Sequence, residues 1–137
     1  MKRIRDFFEY YQKFAFDKDI PGMTNLYDGN ILIFDMWGKG FSTGISEWSS
    51  TITNWLTSLK DEKVEVDFEH IDIQEDEHVG FASAIIQYKA IAPDGAVLRS
   101  MKNRISLGFV KNEGFWKVRH QHTSAPIDSN LTAILDI

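Results

Sequence analysis

The chain has 137 residues, 43% of them hydrophobic and 26% charged, with a net charge of −5. This is one domain's length at an ordinary soluble composition, enough to bury about two-thirds of its unfolded surface without staples. The acidic balance argues against a nucleic-acid partner, and the lack of cysteine excludes disulfides, thiolate catalysis and cysteine–zinc sites.

Ile4, Phe7, Phe8, Tyr11, Phe14 and Ala15 recur at helical spacing, with Arg5, Glu9, Gln12 and Lys13 opposite, which predicts an amphipathic helix over 2–17. Asp19-Ile20-Pro21-Gly22 ends it. Asn25 to Asn30 reads as a turn, and Ile31 to Trp37 as a short buried strand. Gly38, Gly40 and Gly44 make a loop. Thr43 stands where a cap belongs, ahead of a second helix striped by Ile45, Trp48, Ile52, Trp55, Leu56 and Leu59. Lys60-Asp61-Glu62-Lys63 closes that helix.

From Val64 the hydrophobic period drops to two. Four strands are predicted at 64–74, 78–92, 96–110 and 115–124, joined by Glu75-Asp76-Glu77, Pro93-Asp94-Gly95 and Asn112-Glu113-Gly114. Helix, strand, helix and an antiparallel meander make an α+β chain, one domain over 1–137, with helices laid on one sheet face. Strand 78–92 is apolar on both faces: Phe81, Ile85 and Ile91 on one, Ala82, Ala84, Ile86 and Tyr88 on the other. The second face needs a cover, and a homodimer through the sheet supplies it most simply. The final segment, with Leu131, Ile134, Leu135 and Ile137, packs either over a cavity mouth or on a second copy. No apolar run approaches the ~20 residues of a membrane-spanning helix, so no membrane partner is expected and a cytoplasmic location is the default.

The last strand carries the chemistry. Strict alternation places Trp116, Val118, His120, His122 and Ser124 on one face, with Arg119 on the other; Arg104 and Ser106 share a face of the strand before it. A Trp, two His and an Arg converging on one surface point to a pocket.

Leu26-Tyr27-Asp28, Phe34-Asp35, Gly44-Ile45, Arg104 and Trp116-Lys117-Val118 followed by His122-Thr123-Ser124-Ala125-Pro126 occur in an order that resembles the SnoaL-like branch of the nuclear-transport-factor-2-like superfamily. The C-terminal run also looks like the association domain of calcium/calmodulin-dependent kinase II. The resemblance implies a cone: a strongly curved sheet wrapped around N-terminal helices, leaving a cavity open at one end. Relatives of that kind include ketosteroid isomerase, scytalone dehydratase, limonene epoxide hydrolase and polyketide cyclases, and also binding or assembly modules, so fold alone does not fix function.

Within that frame Asp35 and His122 are the candidate catalytic groups. Asp35 ends an apolar strand beside Trp37, where poor solvation would favour proton transfer, and the resemblance places a general base in this region. The alternative for Asp35 is a carboxylate capping its loop. Arg104 falls where the family often has an inward Arg able to grip an anion; otherwise it bridges an acid across the sheet. Tyr88 could donate to a ligand oxygen, and Trp37, Trp116 and His120 complete the candidate ligand-binding set. His120 and His122 lack a third metal ligand on their strand, so no metal is expected, and no cofactor either. The expected function is binding of an apolar or anionic small molecule by a homodimer. The alternative is a cofactor-free isomerase, dehydratase or polyketide-cyclase-like enzyme using Asp35 and His122.

Overall fold

The computed structural model describes residues 1–137. Helix α1 (Asp6–Phe16) is shorter than the sequence stripe, and buries Phe7, Phe8, Tyr11 and Ala15 along one side. The Asp19-Ile20-Pro21-Gly22 stretch does break α1, yet it starts a helix of its own, α2 (Ile20–Thr24). The Asp19 carboxylate caps it by accepting from the Gly22 N–H at 2.9 Å, and Pro21 sits in its first turn, where its missing N–H costs nothing.

Strand β1 (Tyr27–Phe34) begins earlier than predicted and takes in the Asp28-Gly29-Asn30 stretch read as a turn. The three-residue β2 (Phe41–Thr43) pairs with its end. Helix α3 (Gly44–Ser58) turns Trp48, Ile52 and Leu56 inward. The Thr43 hydroxyl makes no cap bond; instead the Glu47 carboxylate accepts from the Thr43 N–H at 2.8 Å. The meander follows as β3 (Lys63–Glu75), β4 (Val79–Ile91), β5 (Val97–Asn112) and β6 (Phe115–Ser124).

The six strands form one sheet in the order β2-β1-β6-β5-β4-β3, and all neighbours are antiparallel except β1 and β6. The parallel pair closes the sheet across the N-terminal helices and produces the α+β cone. No helix is long and apolar enough to cross a membrane. The core lies between α1, α3 and the concave face, where Phe7 meets Phe109 edge-on at 5.8 Å and Phe8 meets Phe68 at 4.8 Å. Gly80 of β4 is where α1's lead-in approaches the sheet: a Cβ there would sit 2.5 Å from Ile4 Cδ1 and 2.9 Å from the Gln74 carbonyl oxygen.

Bulges bend the long strands. One of them overturns the sequence reading of β6. Gly108 pairs with His120 while Phe109 pairs with Val118, which leaves Arg119 as an extra residue. The extra residue reverses the alternation beyond it. Trp116 and Val118 face the core before the bulge; after it Gln121 and Thr123 do, and both are buried. His120, His122 and Ser124 therefore face outward, against the prediction that they share a face with Trp116.

Candidate functional site

A cavity of about 720 Å³ opens between the concave sheet face, α1 and α3. Each element supplies its inward side chains. From α3 come Trp48, Ile52 and Trp55, spaced along one side of the helix; from β4, Tyr88 and Ala90; from β5, Met101 and Asn103; from β6, Gln121 and Thr123. Trp37, 56% exposed, stands at the rim. The C-terminal segment folds back beside it. Leu135 lines the cavity, tied down where its carbonyl accepts from the Lys102 N–H at 2.7 Å, so the tail packs at the cavity of its own chain.

Asp35 also lines this space, held at the end of β1 by its neighbours. Its Oδ1 accepts from the Trp37 N–H at 3.3 Å and from the Thr123 hydroxyl at 3.2 Å. The Asp35 N–H donates to the Gly40 carbonyl at 3.0 Å. Gly40 needs its glycine: φ is +76°, and a Cβ would stand 3.2 Å from the Asp35 carbonyl oxygen. The loop of glycines thus folds tightly onto the strand end that carries the carboxylate.

Near this carboxylate are three tyrosines, Tyr11 and Tyr27 buried and Tyr88 partly so. Tyr11 and Tyr88 share a hydrogen bond at 3.0 Å between their hydroxyls, and Tyr27 donates to Gln121 Oε1 at 2.7 Å. Burial is the main cause pushing the Tyr88 hydroxyl up to about 12, its bond to Tyr11 pulls the other way, and the negative charge of Asp35 adds to the rise. Burial first, then the neighbouring tyrosines and Asp35, hold Tyr11 and Tyr27 well above the ordinary phenol range. All three are proton-bearing at physiological pH; Tyr11 and Tyr88 line the cavity, while Tyr27 is outside its lining and spends its proton on Gln121.

Of the residues singled out from sequence, Asp35, Trp37 and Tyr88 come together in the cavity. The others do not. Arg104 is exposed on the convex face and donates from Nε to the Ser124 hydroxyl at 3.2 Å. His122 is exposed beside it, and His120 makes a 2.8 Å hydrogen bond to the Leu32 carbonyl from Nδ1. Both imidazoles stand edge-on to Phe34, at 5.0 and 5.5 Å. Trp116 is fully buried in the core, with Lys111 Nζ 5.5 Å above its ring, and lines no part of the cavity. Asp35 and His122 therefore do not form an acid–base pair across one pocket. An inward Arg104 grip on an anion is likewise absent, and Arg99, the guanidinium in the cavity lining, pairs with Glu62 at 2.8 Å.

Sequence reasoning missed Tyr11, Asn103, Gln121 and Thr123. Tyr11 is hidden in the aromatic stripe of α1. Asn103 carried a signal, being a lone polar residue in register with Ile105, Leu107 and Phe109 on the inward face of β5. Gln121 and Thr123 could not be placed without the bulge at Arg119.

A family model described as a SnoaL-like domain matches residues 4–128. Among curated proteins none matches the sequence. Solved structures share the fold. An NTF2-like protein of unknown function from Pseudomonas putida KT2440 is 21% identical, with a TM-score of 0.84 over 98% of this chain and 92% of that one. A putative calcium/calmodulin-dependent protein kinase II association domain from Xanthomonas campestris is 12% identical, with a TM-score of 0.75 over 90% and 85%. ActVI-ORFA from Streptomyces coelicolor is 10% identical, with a TM-score of 0.76 over 88% and 92%.

Proposed function

We propose, from the premise that this chain belongs to the SnoaL-like family, that its cavity binds a neutral, largely apolar small molecule. The observation that carries this reading is the cavity itself: about 720 Å³ with aromatic walls and a few converging polar groups, which is the build of a small-molecule site. Neutrality follows from charge. Asp35 faces the space, while Arg104 is on the far side of the sheet and Arg99 is already paired. A carboxylate ligand would meet repulsion without a free cation to offset it.

Neutral bicyclic and tricyclic ketones, titrated against the protein, should raise its melting temperature and quench the fluorescence of Trp37, Trp48 and Trp55. A ligand at a hundred times its Kd adds about 2.7 kcal/mol to stability. Matched carboxylic acids should do less. Arg104→Ala and His122→Ala should shift as the native protein does. Shifts that depend on Arg104, or that favour the acids, would sink the reading.

A second reading is proton transfer without a cofactor, with Asp35 as the base and the Tyr11–Tyr88 pair donating to a carbonyl oxygen of the ligand. It is favoured by the one carboxylate in the cavity lying among tyrosines that keep their protons. Exchange of ketone α-hydrogens in heavy water would reveal it, and Asp35→Asn should abolish exchange while retaining binding. We also propose that two copies pair through the convex sheet face. Phe34 and Phe41 stack there at 6.0 Å, and Phe81 is 55% exposed. Phe81→Lys should then turn a dimer into a monomer by light scattering; a native protein that is monomeric at high concentration would end that proposal.

A further inference from the structure

Two copies paired through the convex face would bury an imidazole that the chain leaves unpartnered, and a buried polar group needs a partner. The face is not uniform. Phe34 and Phe41 stack at one side of it and Phe81 is exposed at the other, with a polar strip on β6 and β5 between them. That strip is central, since β6 and β5 are the third and fourth of six strands. On it His122 lies opposite Ser106, close to the midpoint of β5, and His120 lies opposite Gly108.

The two imidazoles are set as metal ligands are. His120 bonds through Nδ1 to the Leu32 carbonyl at 2.8 Å. A carbonyl only accepts, so Nδ1 carries the proton and Nε2 keeps its lone pair. A backbone carbonyl holding the far nitrogen is the usual support of a ligating histidine. His122 is exposed and makes no hydrogen bond. The ring centroids are 6.4 Å apart. A tetrahedral zinc ion, with Zn–N bonds of about 2.0–2.1 Å, brings two such centroids to roughly 5 Å, so the untethered His122 ring has only to turn inward by roughly 1 Å. One chain cannot complete the set, because no third His, Cys, Asp or Glu joins the pair. A second copy can. In a symmetric pair the residues beside the two-fold axis meet their own counterparts, and packed sheets stand about 10 Å apart, within reach of side chains from both.

We propose that a divalent transition-metal ion of the zinc class is held between two copies by His120 and His122 of each, four nitrogens in a tetrahedral set. Arg104 shares this face and opposes the ion's charge; its Nε is occupied by the Ser124 hydroxyl at 3.2 Å. The inference rests on the dimer reading above, and it makes that pairing responsive to metal.

Sedimentation equilibrium in EDTA and in zinc chloride tests it. Zinc at about a hundred times its Kd for the dimer should tighten pairing about a hundredfold, by linkage. Calorimetry should count one ion for every two chains. Cobalt(II) in zinc's place should give the visible absorption of a tetrahedral centre. His122→Ala changes an exposed side chain, and should abolish the zinc response while pairing in EDTA as the native protein does. His120→Ala should do the same, and His78→Ala, in the turn between β3 and β4, should respond as the native protein does. Pairing of equal strength in EDTA and zinc overturns the inference and leaves the dimer reading standing. So does one ion per chain with no change of state, or a zinc response that survives His122→Ala. A protein that is monomeric at high concentration in both solutions overturns the inference and the dimer reading together.

Discussion

Alkali should unfold this protein from its interior. The sign follows from where the protons are held. Tyr11, Tyr27 and Tyr88 each bind their proton more tightly in the folded chain than in the unfolded one, where a phenol titrates near 10. Above that pH the folded state holds more protons, so stability is fully present below pH 10 and falls as pH rises. For Tyr88, raised to about 12, the loss spans pH 10 to 12. At about 1.36 kcal/mol per unit, that is somewhat over 2 kcal/mol by the end of the window. Tyr11 and Tyr27 are shifted in the same direction, so each adds to the loss as pH rises above 10. A typical domain is stable by only about 5–15 kcal/mol, so losses of this kind at three tyrosines take a large part of it. Unfolding should therefore be cooperative and complete near the top of the window. Tyrosinate absorbance and far-ultraviolet circular dichroism, followed together, should change in one step. Tyr88→Phe should move the alkaline midpoint upward, even if the lost hydroxyl bond lowers the melting point at neutral pH. If instead the buried tyrosines ionise smoothly near pH 10 with the dichroism unchanged, they are not sealed in the cavity wall, and their assignment as permanent donors is wrong.

Other perturbations probe the frame around the site. Phe109→Ala removes a fully buried ring that meets Phe7 edge-on, and should cost about 3–5 kcal/mol in urea denaturation, with an unchanged m-value. Gly80→Ala should cost about 1–3 kcal/mol, since the Ile4 methyl can yield to a Cβ but the Gln74 carbonyl of the adjoining strand cannot. Deleting Arg119 removes only the bulged residue, so Gln121 and Thr123 stay inward and His122 stays outside. That variant should fold, and His122 should remain open to modification by diethylpyrocarbonate; protection of His122 would show that the bulge does not set the facing.

Much of the architecture was legible because local and global preferences agree. The stripes Phe7-Phe8-Tyr11-Ala15 and Trp48-Ile52-Leu56 are both helix signals and core contacts. The turns at Pro93-Asp94-Gly95 and Asn112-Glu113-Gly114 set the hairpins where sequence placed them, with Gly95 and Gly114 at positive φ. The start of β1 was misread because Asp28-Gly29-Asn30 carries turn chemistry. The stretch keeps a local turn bond, from the Asn30 N–H to Asp28 Oδ2 at 2.9 Å, and lies in the irregularity between the Tyr27–Val118 and Leu32–His120 pairs, so the parallel β1–β6 pairing brackets it from both ends. Such long-range pairing leaves no mark in a window of a few residues.

The misplacement of His120 and His122 has a single cause of the same kind. An alternating pattern reports facing only while the register is unbroken, and one inserted residue inverts every side chain beyond it. His120-Gln121-His122-Thr123 offers no hydrophobic residue to reveal which parity is inward, since all four side chains are polar. Trp116 and Val118 anchor the first half of β6 in the core, and the second half is then assigned by extrapolation alone. The partner strand decides it. Gly108, opposite His120, has no side chain to compete for the outer face, and the apolar run Ile105-Leu107-Phe109 holds β5 in phase while β6 shifts. The outcome exchanges two imidazoles for an amide and a hydroxyl in the cavity wall. That exchange replaces an expected acid–base pair with a hydroxyl, Thr123, bonded to Asp35 and an amide, Gln121, in the same cavity lining.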